Sequence, residues 1–189
     1  MRKYSLFPII LAAILGVGCA TLRVSNDYDA AVDFSKMKTY AWQHDTQPKT
    51  GNMRLDNDLQ DQRIRAFIEQ VLQAKGYGKA DRGSADFLIG YQLGLQQKVK
   101  SDNVQTGIGF GMGSRGRYGS IGISSGADVK TYDEGMLLID VLDPESEALL
   151  WRGTGTDAVS PHGDREKKTQ ALNNAVAKIL EPFPPQTKP

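Results

Sequence analysis

The chain is poor in the residues from which catalytic and metal centres are usually built. It has one cysteine, Cys19, and two histidines, His44 and His162, in 189 residues. A single cysteine excludes an intramolecular disulfide, and in an exported protein a leftover thiol needs a reason. The histidines are far apart, and there is no H-x-x-x-H, no pair of cysteines and no D-x-D-x-D-G loop. Neither zinc nor calcium binding is therefore expected, and no cofactor. Charge of one sign is not in excess, with 23 Lys and Arg against 22 Asp and Glu. That balance lacks the basic footprint of a nucleic-acid binder and the polybasic route to anionic lipid. The longest uncharged apolar run falls short of the roughly 20 residues a spanning helix needs.

That run is at the N-terminus. Arg2 and Lys3 precede thirteen uncharged residues, Leu6 to Gly18, a basic n-region and an h-region of signal-peptide length. The run ends Leu15-Gly16-Val17-Gly18-Cys19. This resembles the lipobox of bacterial lipoproteins, in which the thiol is acylated and the bond before it is cut, although Gly16 stands where such signals most often have Leu. The resemblance implies that residues 1–18 are a signal peptide and that acyl chains on Cys19 hold the mature chain to a membrane. Ala20, where Asp would favour inner-membrane retention, points to the periplasmic face of the outer membrane. Loss of Arg2 and Lys3 leaves 21 Lys and Arg against 22 acids, so any further hold on the membrane must be apolar. The ordinary alternative is a plain secretory signal with an incidental cysteine.

Residues 19–189 read as one domain. Thr21 to Tyr28 alternates as a short strand, and Lys38 to Gln43 is a second, dense in Thr and aromatics. Between Asp58 and Lys75 the period changes. Ile64, Phe67, Ile68, Val71 and Leu72 form one apolar helical face, with Asn57 or Asp58 as cap and Gly76 at C′. Alternation returns from Ala85 to Gln97, with Phe87, Ile89, Tyr91, Leu93 and Leu95 on one face. Gly135 to Asp143 is apolar on both faces, as in a central strand, and a turn at Asp143-Pro144 leads into a hairpin strand, Ala148 to Asp157. A second helix, about Asp164 to Leu180, turns Leu172, Ala175, Val176, Ile179 and Leu180 inward, and Phe183-Pro184-Pro185 ends it. The predicted fold is α+β: a mostly antiparallel β-sheet covered on one face by two helices, with a glycine-rich β-hairpin insertion.

That insertion, residues 106–126, holds eight glycines. Ile108, Phe110 and Met112, then Ile121 and Ile123, alternate with them, giving one apolar face and one of nearly bare backbone that permits close approach. The segment is expected to be either a mobile surface hairpin or disordered, flexible insertion, or an element for interaction or self-association, since an apolar edge templates pairing. Two catalytic-looking strings lie here. Gly111, Gly113 and Gly116 satisfy G-x-G-x-x-G but open no helix. Ser124 satisfies G-x-S-x-G but lacks the strand-to-helix turn of a nucleophile elbow, so a hydrolase pairing it with His162 is discounted. No enzyme is expected.

Asp140 interrupts an otherwise apolar strand. A buried carboxylate must be paired, and Arg152 across the hairpin is the expected partner. Tyr40, Trp42 and Trp151 are large amphipathic aromatics that line a pocket or close the core. The residues then resemble a family of bacterial lipoproteins, domain-of-unknown-function family 4136. The matching pieces are Asp27-Tyr28-Asp29 with Phe34, Thr39 to Trp42, Arg63-Ile64, Gly76-Tyr77, Ala85 to Tyr91, Leu138 to Asp143, Leu150 to Gly153, and Ala175-Val176 through Phe183-Pro184-Pro185. The resemblance implies an envelope-anchored single domain and attaches no activity or catalytic residue to it. The expected partners are a membrane, through the acyl chains, and an envelope protein or a second copy. The competing expectation is a carrier of a small apolar ligand or lipid.

Overall fold

A computed structural model of the chain describes residues 22–101, 129–159 and 164–186. Cys19, the hairpin positions Ile108, Phe110, Met112, Ile121 and Ile123, and the Ser124 and His162 pair lie outside the described residues. The elements are β1 (Arg23–Tyr28), β2 (Thr39–Trp42), α1 (Asp58–Ala74), β3 (Gly78–Lys79), β4 (Phe87–Ser101), β5 (Val129–Leu142), β6 (Leu149–Val159) and α2 (Arg165–Leu180), with short 3-10 turns at Phe34–Lys36 and Arg82–Ser84. The strands form one sheet in the order β1-β6-β5-β4-β2-β3. It is the expected α+β architecture, antiparallel through β1, β6, β5 and β4.

Local chemistry sets the element ends. The Asn57 side chain accepts hydrogen bonds from the Leu59 and Gln60 amides, which makes it the N-cap of α1. At the other end Gly76 takes φ +89°. The Tyr77 amide then reaches the Leu72 carbonyl and the Gly76 amide the Gln73 carbonyl, at 3.0 and 2.9 Å, the two bonds of a Schellman motif. Asp164 caps α2 by accepting from the Glu166 amide. In the β5–β6 turn the Asp143 carboxylate accepts from the Glu145 and Ser146 amides.

The sheet departs from a simple meander in one place. β2 runs parallel to both β4 and β3, an arrangement that needs a crossover, and α1 supplies it. β4 begins at Phe87, two residues later than the alternation predicts, because Asp86 is used otherwise. Its carboxylate accepts from the Lys38 and Thr39 amides, each at 2.8 Å, and from the Thr39 hydroxyl, stitching the starts of β2 and β4 together. β4 is also buried on both sides near its start, since Leu88 packs with Ala41, Ala85 and Leu142 away from the helices.

The main core lies between sheet and helices. Phe87, Ile89, Tyr91, Leu137, Ile139, Val141 and Trp151 meet Ile64, Ile68 and Leu72 of α1 and Val176, Ile179 and Leu180 of α2. Each large apolar side chain fully buried contributes about 1.5–3 kcal/mol. Two glycines of β6 let α2 sit close. A Cβ on Gly153 would meet the Trp151 ring and lie 2.6 Å from Ile179 Cγ2, and one on Gly155 would lie 2.7 Å from Ile179 Cδ1.

On the sheet face opposite the helices Asp140 is 4% exposed. Arg152 donates to both its oxygens, at 2.6 and 2.7 Å, the pairing expected from the sequence. Arg152→Ala would strand a buried carboxylate. A loss of about 2 kcal/mol is expected, below the 3–5 kcal/mol of a fully buried pair because the arginine is partly solvated. The double change Asp140→Leu, Arg152→Met is expected to recover most of it. Denaturant midpoints at unchanged m-value read both, and a single variant as stable as the parent would show that the pair contributes nothing.

Candidate binding groove

The described residues form a surface groove of about 890 Å³ where the end of β2, the loop 43–48, α1, β3 and the turn at Arg82 converge. Its wall is organised by a relay along one side of α1. Asp61, Arg65 and Glu69 fall at i, i+4 and i+8, so they line up on adjacent helical turns. Tyr91 of β4 donates its hydroxyl to Asp61 (2.7 Å), and Arg65 donates from Nε to the same oxygen (2.8 Å). The Arg65 guanidinium also reaches the His44 carbonyl and stacks 4.4 Å from the centre of the Trp42 ring. Trp42 donates Nε1–H to Glu69 (2.7 Å), and Lys79 of β3 donates to the same carboxylate oxygen (2.6 Å). Nearby, Arg82 bridges the Gln43 carbonyl and Glu147, both at 2.6 Å.

The three aromatics singled out in the sequence separate here. Tyr40 and Trp151 close the core: Tyr40 is 3% exposed beside Phe87, and Trp151 is fully buried against Phe183. Trp42 alone of the three is half-buried and lines the groove. Arg65, Glu69, Lys79 and Arg82 were not singled out. The alternating-sign stripe Asp61-Arg65-Glu69 was the available signal, visible beside the apolar face of the same helix. Among the described residues no group of three or more His, Cys, Asp or Glu is placed to hold a metal.

The relay changes how its members titrate. Burial works to raise the Glu69 carboxyl, but the bonds from Lys79 and Trp42 outweigh it and hold Glu69 below its ordinary value of 4.5. Burial, then the Glu69 charge, pushes Tyr40 up to about 12. Burial and the hydrogen bond to Asp61 likewise raise Tyr91. For an acid held low in the folded state, the stabilisation is fully present above the unfolded value and is lost as pH falls through the folded one. The Trp42 indole N–H resonance is therefore expected to hold steady from neutral pH down to about 4.5 and to shift only below it. Glu69→Gln should abolish that shift without moving the Trp151 indole. A Trp42 resonance that ignores the substitution would disprove the link.

In fold, the chain is similar to a PDZ domain protein from Parabacteroides distasonis at 14% identity and a TM-score of 0.50, covering 89% of this chain and 36% of that one. The chain thus spans about a third of that protein's length. A PelC dodecamer structure from Paraburkholderia phytofirmans matches at 11% identity and a TM-score of 0.47, covering 85% of this chain and 95% of that one. No curated protein matches. The family described as "Domain of unknown function (DUF4136)" matches residues 24–185, from the second residue of β1 to the aromatic turn after α2. The chain belongs to the DUF4136 family.

Proposed function

We propose that the chain is a lipoprotein of the bacterial envelope, acylated at Cys19 and held on the periplasmic face of the outer membrane. Its DUF4136 domain acts there without catalysis, as a binding or scaffold module for another envelope protein or a second copy. The observation that carries the anchor is the position of the chain's one cysteine, directly after an uncharged run of thirteen residues that follows Arg2 and Lys3. Stable anchoring by lipid takes more than one chain, which the acylation pattern of lipoproteins provides. The groove supports the binding role. Its charges are largely spent on one another, and it offers an indole edge, backbone and polar tips, the mixed surface typical of recognition. A carrier of an apolar molecule needs an apolar cavity. The space between sheet and helices is instead filled by Phe34, Phe87, Trp151 and Phe183, none more than 2% exposed.

Intact mass of the protein purified from membranes tests the anchor. A chain starting at Cys19 with the added mass of acyl chains is expected, and Cys19→Ser should be unlipidated and soluble. A free thiol on a chain cut elsewhere would defeat the reading. The binding role is tested by a photo-crosslinking residue at Asp81, on the groove wall. It is expected to trap an envelope protein or a second copy in cells. Trp42→Ala should reduce capture about tenfold or more, as for a central aromatic contact. Monomer alone, at full labelling, would count against a binding module.

A further inference from the structure

The strand register fixes which end of the domain faces the anchor. Arg23 pairs with Thr156, Thr156 with Met136, and Met136 with Gly94, so these four residues form one row across the sheet. Beyond that row, in the direction in which β1 leads back toward Cys19, β6 stops at Val159 opposite Asp133, while β4 and β5 stay paired as far as Ser101 and Val129. A two-stranded ribbon therefore projects from the end of the sheet at which β1 begins. The run from Gly94 to Ser101 adds about 23 Å of strand at roughly 3.3 Å per residue. The tether is shorter. Leu22 is already seated against the sheet, with its Cδ1 3.4 Å from where a Gly155 Cβ would stand, beside Ile179. Cys19 to Leu22 spans at most about 11 Å at roughly 3.6 Å per residue.

The side chains at this end suit an interface with lipid. Met53 is 92% exposed and Leu59, in the first turn of α1, 60%. Arg54, next to Met53, pairs with Asp133 at the base of the ribbon at 2.8 Å, which places the Met53 loop there. Tyr132, opposite Lys98 across the ribbon, is an amphipathic aromatic of the kind that settles at the headgroup level, while Lys98 itself is bonded to Glu134. At the far end of the sheet the β5–β6 turn presents Glu145, Ser146 and Glu147.

We propose that the domain is docked on its own membrane: the end carrying Met53, Leu59 and the β4–β5 ribbon rests on the bilayer that holds the acyl chains of Cys19, and the β5–β6 turn points away. This rests on the lipoprotein reading above. A tether shorter than the ribbon leaves the ribbon end no position clear of the surface unless the sheet is laid on its side, and the exposed apolar pair then stabilises the seated arrangement.

The test uses the mature acylated protein, starting at Cys19, in vesicles of phosphatidylethanolamine and phosphatidylglycerol containing nitroxide-headgroup lipid. With Cys19 occupied by lipid, a cysteine introduced as Met53→Cys, Gln97→Cys or Glu145→Cys is the only free thiol and takes a fluorophore. All three positions are exposed. Labels at 53 and 97 are expected to lose most of their emission, and the label at 145 to keep it. Equal emission from all three, or quenching at 145 alone, on vesicle-bound protein of the acylated mass would overturn the docking and leave the anchor standing. Protein that lacks the acyl mass and does not bind vesicles would overturn the lipoprotein reading, and the docking with it.

Discussion

The fold closes around one ring. Phe183 lies three residues beyond α2, yet its ring sits 5.2 Å from Trp151, 5.5 Å from Tyr77, 5.7 Å from Phe87 and 6.1 Å from Phe34, centroid to centroid. Tilted and edge-on contacts of this kind add about 0.5–1.5 kcal/mol per pair to the burial itself. The four partners come from the turn after β1, the turn after α1, β4 and β6, so Phe183 holds together segments that share no backbone ladder with it. The cluster also carries a cost. Trp151 Nε1 is buried with no hydrogen-bond partner among the described residues, a debit of about 1–3 kcal/mol that the packing around it must exceed.

Polar groups follow a second constraint: among the described residues both buried acids are paired with cations from other strands. Asp140 has Arg152 from β6, and Glu134, 5% exposed, has Arg23 from β1 and Lys98 from β4. These pairs sit on the sheet face that the helices leave open, beside the small apolar cluster of Leu88, Ala41, Ala85 and Leu142, and they link β1, β6 and β4 to β5. On the helix side, α1 works twice. Ile64, Ile68 and Leu72 enter the core, while the adjacent stripe Asp61-Arg65-Glu69 builds the groove. The groove is thus as firmly placed as the core, because one helix positions both.

Local chemistry was readable from the sequence, and long-range pairing was not. Asn57 caps α1 through its side chain, Gly76 takes the left-handed conformation its missing Cβ permits, and the alternation of Phe87, Ile89 and Tyr91 does select the core face. Asp140 could be matched to Arg152 because a tight turn at Asp143-Pro144 sets the hairpin register between them. The parallel pairing of β2 with β4 had no such local marker, since it depends on how α1 packs after the crossover. For the same reason Tyr40, Trp42 and Trp151 looked alike in sequence and only the packing divides two core rings from one groove wall. Phe183 was legible as a helix stop, because proline follows it, and illegible as the centre of the core.

The sheet's order sets when the domain can exist. Among the described residues β1 is the first strand and pairs within the sheet only with β6, and the ring that completes the core, Phe183, follows every described strand and helix. Until β6 is available β1 lacks its ladder partner, and until Phe183 is available the core lacks its centre. Closure of a domain wired in this way waits on pairings between segments far apart in sequence, the contacts that form most slowly.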